Sequence, residues 1–142
     1  MKNKIFKTLT TLNLIGLCIS LYLTYIHFLP SASTICNFGE TWNCDIVNKS
    51  IYAQILGVPV AILGAIAYLG FTIFSIYGLF HDTKKIFPYY FATLCLGVGF
   101  TLYLTAIETF VLKTYCAFCV AQQIIILITF GLSIWLYKIT KD

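Results

Sequence analysis

The chain has 142 residues, of which 60% are hydrophobic and only 10% charged. A soluble domain carries about 25% charged residues, so this composition excludes an ordinary soluble globular protein. All nine basic residues are lysines, and the net charge of +4 is not gathered into a stripe, which argues against a nucleic-acid partner. The length fits one domain, residues 1–142.

Charge-free stretches at 8–29, 50–80, 86–107 and 114–137 each exceed the roughly 20 residues needed to cross a bilayer. They predict four helices near 8–29, 57–80, 87–112 and 116–137, and hence an all-α integral-membrane protein, a four-transmembrane-helix bundle. The first run starts with Lys2, Lys4 and Lys7, but its apolar stretch is too long for a signal peptide. Ser31-Ala32-Ser33 is the nearest approach to a cleavage pattern, so the run is expected to remain as a span. An outer loop, 30–56, follows. Its last part, Ser50 to Leu56, is expected to form a short interfacial half-helix. Gly57-Val58-Pro59 then punctuates the chain, with Pro59 at the start of the second span. Trp42 in the loop reads as an interfacial anchor or a packing residue. Tyr89, Tyr90, Trp135 and Tyr137 fall near span ends, where an aromatic belt is expected. Glu108 is the one acid inside a predicted span. Such a carboxylate is costly and often functional. It reads either as a proton source or as a neutral, hydrogen-bonded carboxyl.

The lysines orient the chain. Lys2, Lys4, Lys7, Lys84, Lys85, Lys138 and Lys141 fall on one side, which the positive-inside rule makes cytoplasmic. Both termini are expected there, in the inner (cytoplasmic) membrane. The 30–56 loop and the 113–116 connection then face the periplasm or an equivalent oxidising compartment.

The six cysteines fall into three groups. Cys18 and Cys95 sit among apolar residues and are expected to pack as small hydrophobes. Cys36 and Cys44 lie in the outer loop with seven residues between them. They are either a structural staple or a redox pair. Cys116 and Cys119 form a Cys-x-x-Cys at the mouth of the last helix. Their plain reading is two packing residues at a helix end. The sharper one is a reactive dithiol, because the amides and dipole of a first helical turn favour a thiolate. Four thiols also suggest zinc, but the wide Cys36–Cys44 spacing and the placement of His27 and His81 on opposite sides argue against a metal. Two dithiols on one membrane face can form a relay by thiol–disulfide exchange. The chain has no haem, dinucleotide or iron–sulfur pattern. A lipid-soluble quinone is the remaining two-electron acceptor that needs no such motif.

Cys36-x7-Cys44, Ser50 six residues later, Gly57-Val-Pro59-Val-Ala61, Leu102-Tyr103-Leu104 and Cys116-Ala-Phe-Cys119 together resemble the bacterial branch of the vitamin K epoxide reductase family. The resemblance spans about residues 8 to 137. It implies a four-helix bundle around a quinone of ubiquinone or menaquinone type. It also implies a quinone-dependent thiol oxidoreductase that supports disulfide formation. By the same resemblance Cys36 meets a thioredoxin-like (DsbA-like) partner, Cys44 forms a transient disulfide with Cys116, and Cys119 faces the quinone. Ser50 is expected near the quinone as a hydrogen-bond donor, or as the N-cap of the half-helix. Gln123 stands where vertebrate members carry tyrosine. Its amide suits a quinone carbonyl, while the change speaks against vertebrate epoxide chemistry. The chain ends at Asp142 without a fused thioredoxin-like domain, so the partner is expected to be a separate periplasmic protein. Two other functions stay open: an outward exporter of reducing equivalents, and a membrane scaffold with structural disulfides.

Overall fold

A computed structural model of the protein describes residues 1–31 and 35–141. Ala32 and Ser33 of the small-residue pattern lie outside the described residues. Among the described residues, four helices are long and apolar enough to cross a membrane. They are α1 (Lys2–His27), α3 (Val60–Phe80), α4 (Phe87–Ala106, continued by a π-helical segment Ile107–Leu112) and α5 (Ala117–Lys141). The bundle is therefore all-α, as expected. α1 begins at Lys2 and α5 runs to Lys141, beyond the expected ends at 8 and 137. Hydropathy marks the hydrocarbon thickness, whereas lysine-bearing turns extend a helix into the interface without breaking it.

The short helix in the first loop is present but shifted. Its α-helical part, α2, is Cys44–Asn48, ahead of the expected Ser50–Leu56. The side chain of Asn43 caps it, accepting from the Ile46 amide at 3.1 Å. Residues 50–56 hold one 3-10 turn (Ile51–Ala53) and strand β1 (Gln54–Ile55), which pairs antiparallel with β2 (Val58–Pro59). Leu56 (φ 52) and Gly57 (φ 81) both take positive φ, as this tight turn requires. The Leu-Gly turn and β-branched neighbours favour the hairpin over a helix. Pro59 is the N-cap residue of α3, close to its expected place.

α1 lies along α3 with small residues at the crossing. A Cβ on Gly16 would collide with the Tyr68 ring, and one on Gly78 with the Phe6 ring. In lipid, close backbone approach takes over the role that hydrophobic collapse has in water. The half of the bundle that carries the lysines is filled by Phe6, Leu9, Phe71, Phe74, Phe87, Tyr90, Leu94 and Leu136. Phe74 stacks on Tyr90 with ring centroids 3.9 Å apart. Tyr90 is therefore a core residue, not part of a belt. Its hydroxyl shares a hydrogen bond of 2.9 Å with Ser133. Tyr89, Trp135 and Tyr137 do stand exposed on the bundle exterior. Cys18 and Cys95 are exposed rather than packed inside. They face the surroundings of the bundle, where lipid is as apolar as a core, so no rule of burial fixes which way they point.

Candidate active site

Residues 37–43 fold into a tight turn that reaches across to the start of α5. Asn37 bridges Asn43, and Trp42 bridges Tyr115. The Asn43 amide donates to the Tyr115 carbonyl at 2.9 Å, and the Tyr115 amide donates to the Thr41 carbonyl at 2.7 Å. Thr114 donates to the Glu40 carbonyl at 3.2 Å. The Trp42 and Tyr115 rings lie against each other at 5.4 Å. These contacts fasten residue 44 beside residue 116. Asn37 adds a hydrogen bond of 2.7 Å to the Asp45 carboxylate, which also pairs with Lys49 at 3.7 Å.

The sulfurs meet at this stitch. Cys36 and Cys44 form a disulfide with Cα atoms 5.5 Å apart. Cys116 Sγ lies 2.9 Å from Cys44 Sγ. All three sulfurs lie within 4.8 Å of one another. That spacing would also suit metal ligands, but two of the sulfurs are bonded to each other and carry no thiolate charge. Cys36, Cys44 and Cys116 are all buried. The loop pair is thus enclosed here, where the sequence suggested a pair open to a soluble partner.

Cys116 occupies the N-cap position of α5, and its sulfur accepts the Cys119 amide at 3.3 Å. Cys119 lies one turn deeper and lines a cavity of about 400 Å³ between α3, α4, α5 and the 47–55 segment. Ser50, Gln122, Gln123, Asn48 and Glu108 are among the polar residues of its lining. Phe71, Phe100, Leu104 and Ile126 are among the apolar ones. Leu63 (39% exposed) and Leu96 (76% exposed) line the cavity and also show on the bundle exterior. The cavity therefore has a window between α3 and α4.

Ser50 and Gln123 line the same cavity as Cys119. Ser50 gives no side-chain cap to the turn that follows it. Its hydroxyl donates to the Val47 carbonyl at 2.8 Å, which leaves its oxygen free to accept. Gln122 and Asn48 went unread in the sequence. Gln122 bridges to α1, donating to the Gly16 carbonyl at 3.2 Å and to the Ser20 hydroxyl. Asn48 donates to the Leu23 carbonyl at 2.7 Å, and its own carbonyl receives His27 Nδ1 at 2.7 Å. A glutamine pair in an otherwise apolar span was the available signal for Gln122. Asn48 had none.

The model of the vitamin K epoxide reductase family matches residues 7–134. The chain belongs to the vitamin K epoxide reductase family. It is accordingly a multi-pass membrane protein and a thiol oxidoreductase, and the gathered sulfurs fit that chemistry. Proteins of the vitamin K epoxide reductase family are quinone-linked in general. The cavity fits such a group: it has the size and apolar walls of a ligand site, with a few convergent polar side chains. Glu108 Oε2 is buried on that wall with no hydrogen-bond partner among the described residues.

Proposed function

We propose that this protein takes electrons from the dithiol of a separate periplasmic thioredoxin-like protein and passes them to a membrane quinone. Its physiological role is then disulfide bond formation in exported proteins. The observation that carries this reading is the 2.9 Å approach of Cys116 to Cys44, with Cys119 behind it on a ligand-sized cavity.

The sulfur steps balance as follows. The partner's dithiol becomes a disulfide while the Cys36–Cys44 bond is reduced to two thiols. Cys44, as thiolate, attacks Cys116 of a Cys116–Cys119 disulfide, and Cys119 leaves as thiolate. Cys36 then attacks Cys44, which restores the loop disulfide and frees Cys116. A quinone in the cavity supplies the capacity to accept two electrons and two protons as the Cys116–Cys119 bond re-forms. Gln123 would hold it through its amide N–H, Ser50 would do so only by turning its proton away from the Val47 carbonyl, and the apolar walls would exclude water from the reacting sulfur. Every exchange is reversible through the same Cys44–Cys116 bond, so the net direction is set by the potentials of partner and acceptor.

The lysine clusters support an orientation with both termini in the cytoplasm and the sulfurs on the periplasmic face. The test is quinone reduction by purified protein in detergent, driven by a reduced thioredoxin-like protein. Turnover should fall by at least about 10³-fold in Cys119→Ala, since the nucleophile itself is gone. A folded wild-type protein that reduces neither benzoquinones nor naphthoquinones would sink the reading.

A further inference from the structure

Glu108 is only 3% exposed. Among the described residues it is the only acidic side chain on the cavity wall. A buried polar atom without a partner costs on the order of 1–3 kcal/mol, and a buried charge more. Native structures seldom keep one without reason. The backbone around it is unusual in two further ways. Residues 107–112 are π-helical, a wide turn that recurs at functional sites. It closes at Lys113 in the left-handed region, φ 52, which a non-glycine residue adopts at some cost. One arm of the carboxyl meets the Cys116 amide, and the group interacts electrostatically with Cys119. The other arm, Oε2, is the unpartnered one.

We propose that Glu108 carries protons from the Cys116–Cys119 thiols to the carbonyl oxygens of the acceptor in the cavity. The destination rests on the quinone reading above; the origin at the thiols does not. As the dithiol closes to a disulfide, one S–S bond forms and two S–H bonds break. The sulfurs give up two electrons and two protons. The Cys119 proton moves to Glu108 Oε2 and on to one acceptor oxygen. The Cys116 proton follows by the same carboxylate to the second oxygen. Glu108 ends as it began, and the atoms and electrons balance. The titratable groups facing this path are Cys116 and Cys119 at the start of α5, with Tyr52 and Tyr68 also on the cavity wall. Among the described residues the remaining acids, Glu40, Asp45 and Asp82, lie outside the spans.

A purely structural Glu108 would only accept from the Cys116 amide and hold the start of α5. Glutamine keeps that acceptor and loses the proton. The first readout needs no quinone: an infrared difference spectrum between oxidised and dithiothreitol-reduced protein stripped of quinone. Wild type should show a protonated-carboxyl band that changes with redox state and shifts in deuterium oxide. Glu108→Gln should lack it. The second readout is turnover, expected to fall by roughly 100-fold in Glu108→Gln and to recover in part in Glu108→Asp. The rate of Cys44–Cys116 exchange should not change. A wild-type carboxyl band indifferent to redox state overturns the proposal, and so does a Glu108→Gln turnover within about twofold of wild type. A redox-linked band in a protein that reduces no quinone supports Glu108 as the thiol's proton acceptor and removes only the quinone reading.

Discussion

The two ends of this bundle are built on different terms. At the lysine end, Phe6, Phe74, Phe87 and Tyr90 fill the space between the helices, and the buried hydroxyls of Ser75 and Ser133 bond back to their own helices. At the cysteine end the helices part around a cavity, the last turns of α4 widen into a π-helix, and Glu108 Oε2 has no hydrogen-bond partner among the described residues. The packed end also holds buried polar atoms without a hydrogen-bond partner among the described residues, Asn13 Oδ1 and Thr129 Oγ1, whereas the widened turn and the left-handed Lys113 belong to the cysteine end alone.

Three substitutions sharpen this contrast. Phe6→Ala empties the packed end. In lipid the transfer term is small, so the loss comes mainly from the hole, about 2 kcal/mol for ~100 Å³. Thermal unfolding in detergent should shift down, while turnover per folded molecule at low temperature stays near wild type. A turnover loss that exceeds the loss of folded protein would mean that the two ends are coupled. Trp42→Ala loosens the stitch between the loop and Tyr115. In a background lacking Cys36 and Cys119, formation of the Cys44–Cys116 disulfide should slow about tenfold, from poorer positioning. An unchanged rate would assign the alignment of the sulfurs to the backbone pairs alone. Gln123→Ala removes one neutral hydrogen bond on the cavity wall. It should raise KM for quinone about fivefold, equivalent to ~1 kcal/mol, with little change in kcat. If kcat falls and KM does not, Gln123 acts on the reacting state rather than on binding.

Much of the fold was legible because lipid imposes a simple code of length and apolarity. That code does not record how each helix is turned about its axis. Tyr90 was placed in a belt and stands in the core, while Cys18 and Cys95 point outward. Every face of these helices is apolar, so no polar stripe marks the outside. The half-helix was placed over 50–56 from span length, whereas Asn43 starts it earlier and the Leu56-Gly57 turn claims the rest. Both cysteine pairs were legible from spacing and topology, and the meeting of Cys44 with Cys116 from the family resemblance. The stitch at Trp42 and Tyr115 was not, since backbone pairing between distant segments leaves no local pattern. Glu108 stood out as an acid in a span, but nothing in its neighbours signalled the π-helical turn that carries it.

Under the proposed function, the window between Leu63 and Leu96 would make the bilayer, rather than the aqueous phase, the reservoir from which this cavity is supplied. Occupancy then follows the mole fraction of ligand among the lipids. Swelling of the membrane by new lipid would starve the site even as the cell's total content of ligand stays constant. Under the proposed function, membrane composition would thereby govern the rate of disulfide formation.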